Sequence, residues 1–215
     1  MTNNEGRLYR NAAAMIVLAV LQRGMGLVTI FILARLLDAR GLGAYSFAQT
    51  TSQTFFGVTR LGADAGLHVS VARLHLPDDK PVAETLLGEA LVLFLAIAAI
   101  AASGLVLLAK PIAATLFGAP DLAPFVSASA IMLAAQTVSQ YCYSVFAGLN
   151  AFVIYARLSW LTSLLTLSLA VLGAFLFGTI GAVWAAAVGM ALTALALAVW
   201  LFRELGSRGI PLRPR

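Results

Sequence analysis

Long apolar stretches separated by short polar connections dominate the chain. Between Asn11 and Arg35 the sequence is apolar except for the pair Gln22 and Arg23 and the single hydroxyl of Thr29. About 20 apolar residues at ~1.5 Å each are enough to cross a hydrocarbon layer of roughly 30 Å, so this stretch predicts a membrane-spanning helix. Further spans are predicted at about 44–67, 90–109 and 122–149. The uncharged run 158–202 is too long for one crossing, and the turn Gly178–Gly181 divides it into an antiparallel hairpin. The pattern therefore predicts about six transmembrane helices.

Polar residues recur at helical spacing on three of these spans. They are Gln22, Arg23, Gly26 and Thr29 on the first span, Ser46, Gln49, Gln53, Gly57, Arg60 and Asp64 on the second, and Ser129, Gln136, Gln140 and Tyr143 on the fourth. A continuous polar stripe is costly against lipid. We therefore expect spans one, two and four to face a common polar cavity, whereas the third span, Ala90 to Ala109, faces lipid.

Arg23 lies near the middle of the first span, roughly 18 Å from Asn11 at ~1.5 Å per residue. A guanidinium facing lipid at that depth costs at least ~2.5–3.5 kcal/mol. Two interpretations follow: a buried arginine bonded to a neighbouring helix, or a positive site in a pathway for something anionic. Arg60 and Asp64 are i, i+4 neighbours, so they can pair with each other or contribute to the same pathway.

Composition supports an all-α integral membrane protein. Hydrophobic residues make up 61% of the chain and charged residues 11%, against about 45–50% and about 25% in soluble domains. The single cysteine, Cys142, excludes internal disulfides and multi-cysteine metal sites. The loop holding His68, His75, Asp78 and Asp79 lacks metal-ligand spacing, so no metal or cofactor is predicted. The net charge of +5 comes from residues at helix ends, which does not indicate nucleic-acid binding.

Lysine and arginine are distributed unequally between the two sides of the predicted bundle. Ten lie on the side that holds both termini and three on the other side. Because cytoplasmic loops carry the excess of positive charge, both termini are predicted to be cytoplasmic.

Three local strings resemble those of oligosaccharide flippases, the polysaccharide-export branch of the multidrug/oligosaccharidyl-lipid/polysaccharide exporter superfamily. They are LARLLDARGLGAYSFA at 33–48, TRLGADAGLHVSVAR at 59–73 and AKPIAATLFGAPDLAPF at 109–125. Their order and spacing extend the resemblance across nearly the whole chain.

The resemblance implies a two-lobed membrane protein, of which this chain is expected to be the amino-terminal lobe. We expect a cytoplasmic segment at 1–11, a six-helix lobe at 12–203 and a basic cytoplasmic tail at 204–215, which begins an inter-lobe loop. The implied activity is alternating-access movement of a lipid-pyrophosphate-linked oligosaccharide across the bacterial cytoplasmic membrane, without enzymatic chemistry. The implied partners are that substrate, membrane lipids and a second lobe.

The resemblance and the polar pattern together select candidate site residues. Arg23 matches a first-helix arginine that often occurs in these flippases. The candidate substrate-binding residues are Arg23, Gln22, Gln53, Arg60, Gln136 and Gln140, and Asp64 is a candidate for coupling or ion pairing.

Three other readings remain open. A multidrug-type cation antiporter of the same superfamily favours buried carboxylates, and Asp64 is the only one in a predicted span. A membrane enzyme acting on lipid-linked substrates needs catalytic histidines, paired carboxylates or a metal motif, for which only the His68–Asp79 loop is available. A scaffold without transport activity needs none of these groups.

Overall fold

A computed structural model describes residues 20, 24–60, 67, 80–116, 119–149 and 152–207. Within these ranges, the side chains of residues 60, 80, 81, 83, 116 and 152–156 are not described. The described chain is helical throughout apart from short connections, which confirms the all-α class.

The long helices follow the predicted spans. They are α1 (Gly24–Leu36), α2 (Ala39–Arg60), α3 (Lys80–Leu107), α4 (Ala123–Gly148) and the run Phe152–Ser207, which comprises α5 before Gly178 and α6 after it. Between α3 and α4 lie a helical turn Ala109–Pro111, a π-helical turn Ile112–Leu116 and a 3₁₀ turn Pro120–Leu122. Three stretches of the described chain are long and apolar enough to cross a membrane: Glu84–Leu107, Pro120–Gly148 and Arg157–Ser207. The last contains both arms of the α5–α6 hairpin.

The connection between α1 and α2 ends at a capping aspartate. The two glycines of the LDARGLG string suggest a break in the helix, but Gly41 and Gly43 both lie inside α2. The helix interruption comes earlier, at Leu37 and Asp38. The Asp38 carboxylate accepts a hydrogen bond from the Gly41 backbone N–H at 2.6 Å, which satisfies one of the unpaired donors at the start of α2. The capping aspartate decides where the helix begins, and the glycines continue it.

Gly178 makes the predicted hairpin between α5 and α6. Its φ of 62° is in the left-handed region that glycine adopts without strain. Beyond the turn the two helices run antiparallel, with Gly173 beside Gly181 and Thr166 beside Gly189. A Cβ added to Gly173 would lie 2.5 Å from the Ala185 Cβ, and one added to Gly181 would overlap the Gly173 carbonyl oxygen. The small-residue repeat Gly181–Ala185–Gly189 therefore allows close packing within the hairpin.

α4 is the central helix of the described lobe. It supplies side chains to three apolar clusters, against α3 and α6, against α1, α2, α5 and α6, and against the end of α3. Half of its apolar span is buried, compared with 17% for α3. α3 exposes Val92, Ile100 and Leu107 along its length. α3 is thus the peripheral helix that the apolar pattern predicts.

Three connections meet at one end of the lobe. A cavity of about 330 Å³ there is lined by Asp38, Arg40, Asp121 and Thr179, among other residues. These residues come from the start of α2, the start of α4 and the hairpin turn. The α1–α2, α3–α4 and α5–α6 connections therefore lie at the same end of the bundle, as expected for helices that cross in alternating directions.

Candidate functional site

Two adjoining cavities open between the helices in the interior of the lobe. One, of about 450 Å³, lies between α1, α2, α5 and α6, and the other, of about 530 Å³, lies between α2, α4 and α6. Gln53, Met190 and Thr193 line both cavities. We treat the two as one continuous surface and call it the polar trough.

α2 supplies one wall of the polar trough. The lining residues from its predicted stripe are Ser46, Gln49, Gln53 and Gly57. The Gln49 amide donates to the Tyr45 hydroxyl at 3.0 Å, which holds both side chains along this wall. Gln53 is exposed within the trough. The helical spacing of these residues thus places them together as predicted.

α4 supplies the opposite wall with Gln136, Ser139, Gln140 and Tyr143. The Gln136 Nε2 atom donates to the Ser52 hydroxyl on α2 at 3.1 Å and lies 3.9 Å from the Met190 Sδ on α6. This amide therefore links three helices inside the trough. Gln53, Gln136 and Gln140, three of the candidate site residues, line the same cavity.

Ser129 departs from the predicted α4 stripe. Its side chain is fully buried, and its hydroxyl donates to the backbone carbonyls of Phe125 and Val126 at 2.9 and 3.0 Å. A serine hydroxyl in an apolar helix can hydrogen-bond to a backbone carbonyl of the preceding turn, so it needs neither a cavity nor a polar neighbour. Ser129 belongs to the core, and the α4 wall of the trough begins further along the helix.

α5 and α6 contribute a further set of polar groups that the sequence analysis missed. Thr162, Ser163 and Thr166 on α5 and Thr193 on α6 line the trough. The Tyr143 hydroxyl lies 3.3 Å from the Thr162 hydroxyl and joins the α4 wall to α5. The spacing of Thr162 and Thr166 by four residues was the available signal. It is obscured because the surrounding run carries no charge.

The predicted stripe of the first span reaches the trough through Gly26 and Thr29, next to Met25. The Thr29 hydroxyl donates to the Met25 carbonyl at 2.8 Å. Gln22, Arg23 and Asp64 lie outside the described residues, as do the histidines and aspartates of the 68–79 loop. Arg60 is the last residue of α2, and its side chain is among those not described.

The described lining carries no charged side chain and combines polar groups with apolar side chains such as Ile30, Leu167 and Ala135. It offers amides from glutamine, hydroxyls from serine, threonine and tyrosine, and the thioethers of Met25 and Met190. Within the described ranges, no group of three or more His, Cys, Asp or Glu side chains is placed to hold a metal ion. The trough is therefore equipped to exchange hydrogen bonds with a polar ligand or water.

Comparison with known proteins identifies one family. The model of the family described as "Polysaccharide biosynthesis protein" matches residues 8–213. No curated protein and no solved structure matches the chain.

Proposed function

The chain belongs to the polysaccharide biosynthesis protein family, and from that premise we propose that it translocates a lipid-pyrophosphate-linked oligosaccharide across the bacterial cytoplasmic membrane. Family membership and the apolar helices support a membrane flippase or exporter role in polysaccharide biosynthesis. The lipid-pyrophosphate-linked substrate and the route described below are our proposal.

The observation that carries the proposal is the polar trough inside an apolar helical lobe. Five helices, α1, α2, α4, α5 and α6, place amides and hydroxyls on one concave surface, while α3 and the outer faces of α5 and α6 expose large apolar side chains. Polar groups at membrane depth persist where they line a water-filled cavity or meet a polar partner. A polar head that crosses the membrane while its lipid tail stays in the bilayer is such a partner.

We assign the pyrophosphate contact to Arg23. In the sequence, Gln22 has helical spacing to Gly26 and Thr29, which both line the trough, and Arg23 is the neighbour of Gln22. A guanidinium binds a phosphate through two parallel N–H donors, a geometry that lysine does not reproduce. Gln22, Gln53, Gln136, Gln140 and Arg60 are proposed as further substrate contacts, and Asp64 as a coupling or ion-pair residue.

The proposed route needs a second lobe facing the trough, so that the cavity opens to one side of the membrane at a time. We propose that both termini are cytoplasmic. Cysteines introduced at Arg40 and Ala119 should react with an impermeant reagent from outside, and a cysteine at Lys80 should not. The native Cys142 is buried and contributes little background. External labelling at Lys80 would overturn the orientation.

The proposal is tested by export in a bacterial strain that lacks its own flippase, with the carboxy-terminal lobe of a related flippase supplied alongside. Arg23→Lys should reach the membrane normally yet export poorly, and Arg23→Ala should export less still. Val92→Ala on the exposed face of α3 is the matched control and should export normally.

Membrane abundance must be measured for every variant, because losing one member of a buried charge pair costs about 3–5 kcal/mol and mimics lost function. Normal export by abundant Arg23→Ala protein would contradict the assignment of Arg23. No export by the unsubstituted chain, together with extrusion of organic cations, would favour the multidrug-type reading.

A further inference from the structure

We infer that the side of α1 turned away from the polar trough binds an anionic phospholipid, whose phosphate is held by the Arg35 guanidinium above the Phe31 ring. The phospholipid that we assign is one without a cation in its head group, such as phosphatidylglycerol. Because this site lies outside the trough, the inference does not depend on the proposed function.

α1 has two faces with different surroundings. Thr29 lines the trough, and Leu33 is the one buried residue of α1. Helical geometry places Leu27, Phe31 and Arg35 in one row on the opposite side of the helix. Leu27 and Phe31 are 69% and 62% exposed, and Arg35 is exposed as well. In a membrane this row faces the surrounding lipid.

The row has the order of groups found in a phospholipid. At ~1.5 Å per residue, each step of four residues advances about 6 Å along the helix, from Leu27 to Phe31 and on to Arg35. Arg35 lies just before the interruption of the helix at Leu37 and Asp38, at the end of the lobe that holds the three connections. Charged side chains near helix ends reach the head-group layer. A phospholipid whose chain lies along Leu27 and Phe31 therefore places its phosphate at Arg35.

Phe31 holds the guanidinium in place. The Arg35 Cζ atom lies over the Phe31 ring, 4.8 Å from its centroid, which is within the range of a cation–π interaction. The ring restrains a long side chain, so less conformational entropy is lost when a ligand binds. The planar guanidinium can then donate two parallel hydrogen bonds to two oxygens of one phosphate.

Charge selects among the phospholipids. Phosphatidylglycerol carries a phosphodiester and no cation, whereas phosphatidylcholine carries an ammonium group next to its phosphate. That ammonium repels a guanidinium and competes with it for the phosphate. Arg35 therefore favours the anionic head group.

Bound lipid is expected to strengthen the attachment of α1 to the lobe. Leu33 and Leu37 join this end of the helix to an apolar cluster, and Arg35 lies between them in the chain on the other side of the helix. A head group at Arg35 contacts the same part of α1 from the membrane side. Because a ligand that binds only the folded chain stabilises it, phosphatidylglycerol should raise the Tm more than phosphatidylcholine does.

The test uses the full chain in a neutral detergent and native mass spectrometry, which counts bound lipids. Phosphatidylglycerol and phosphatidylcholine with identical acyl chains are titrated separately. We expect the first phosphatidylglycerol to bind about tenfold more tightly than the first phosphatidylcholine. Arg35→Gln should abolish this preference.

Lys110→Gln is the matched control. Lys110 is also exposed and follows the exposed Leu107 and Leu108, but its ammonium lacks the planar donor fork of arginine. Its loss should leave the lipid preference unchanged.

Phe31→Leu keeps the apolar row and the charge of Arg35 but removes the ring. It should reduce the preference to about threefold, because the guanidinium is no longer restrained. This variant also decides the question if Arg35→Gln does not elute as a single species, since an undiminished preference in Phe31→Leu would contradict the site.

Equal binding of the two lipids by the unsubstituted chain, or an unchanged preference in Arg35→Gln, would overturn the inference. Displacement of phosphatidylglycerol by inorganic phosphate would assign the site to a free anion, and displacement by a polyprenyl pyrophosphate would assign it to the transported lipid. Loss of the preference in the presence of the carboxy-terminal lobe of a related flippase would mean that protein covers Arg35. Each of these three results also overturns the phospholipid assignment, and none of them decides the export experiment on Arg23.

Discussion

The α5–α6 hairpin and the α2–α4 pair show two ways of joining membrane helices. In the hairpin, Gly173 and Gly181 bring the backbones into direct contact. Between α2 and α4, the long Gln136 side chain reaches across to Ser52 beside an open cavity. Small residues make close packing that leaves no room for a ligand, and long polar side chains connect two helices while leaving space next to them. The comparison separates the close-packed glycine contact inside the hairpin from the surfaces that line the trough, to which the hairpin also contributes Thr162 and Thr193.

The largest effect is expected where the backbones touch. Gly181→Leu places a side chain against the Gly173 carbonyl and the Phe177 Cβ, so the hairpin must separate. Overpacking typically costs about 1–3 kcal/mol, and backbone contact leaves little room for relaxation. We expect a lowered Tm and loss of most monodisperse protein in detergent.

Gly104→Leu on α3 is the matched control, because a Cβ at Gly104 meets nothing within 4 Å. Its Tm should stay near that of the unsubstituted chain. Equal Tm values for the two leucine variants would mean that the hairpin is not held by close glycine contact.

An intermediate effect is expected at Gln136. Gln136→Leu keeps most of the side-chain volume but removes the hydrogen bond to Ser52, at a cost of about 0.5–1.5 kcal/mol. Export should fall as well, because the amide lines the trough. Thr137→Ala is the neighbouring comparison, since within the described ranges the Thr137 hydroxyl bonds only the Leu133 carbonyl of its own helix. A double-mutant cycle with Ser52→Ala measures the link, and zero coupling energy would argue against it.

The smallest effect is expected at Tyr141, which is 1% exposed and lies outside the trough. Its hydroxyl donates to the Leu87 carbonyl at 2.9 Å and ties α4 to α3. Tyr141→Phe keeps the ring packing and should lower stability by no more than about 1 kcal/mol. Export per molecule should be unchanged. A selective loss of export, at normal abundance, would extend the functional surface to the α3 side.

Much of the arrangement follows from residue patterns alone. The Gly178 turn, the peripheral position of α3 and the shared cavity of Gln53 and Gln136 were all predicted from spacing and hydropathy. These predictions succeed because exposure of polar groups to lipid costs free energy, so a polar stripe on a membrane helix faces other helices or a water-filled cavity.

Other features depend on local bonding that spacing does not reveal. Gly41 looks like a helix breaker until the Asp38 carboxylate is seen to cap the helix that contains it. Ser129 has the period of a cavity residue, but its hydroxyl is satisfied by its own backbone. The sequence does not predict that Thr162 and Thr166 line the trough, because hydroxyls in an uncharged apolar run are also common on lipid-facing or buried helix surfaces.

The hydrogen bond from Gln136 to Ser52 also bears on the order in which the helices enter the membrane during synthesis. The two residues are 84 positions apart, so α2 emerges from the ribosome well before its α4 partner exists. Until α4 is made, the glutamines of α2 cannot pack against it. Transfer of α2 alone into lipid is therefore unfavourable. We expect glycosylation mapping of chains stopped near residue 75 to show incomplete insertion of α2, and chains stopped after residue 150 to show full insertion. Complete insertion in the shorter chains would mean that α2 enters the bilayer without help from later helices.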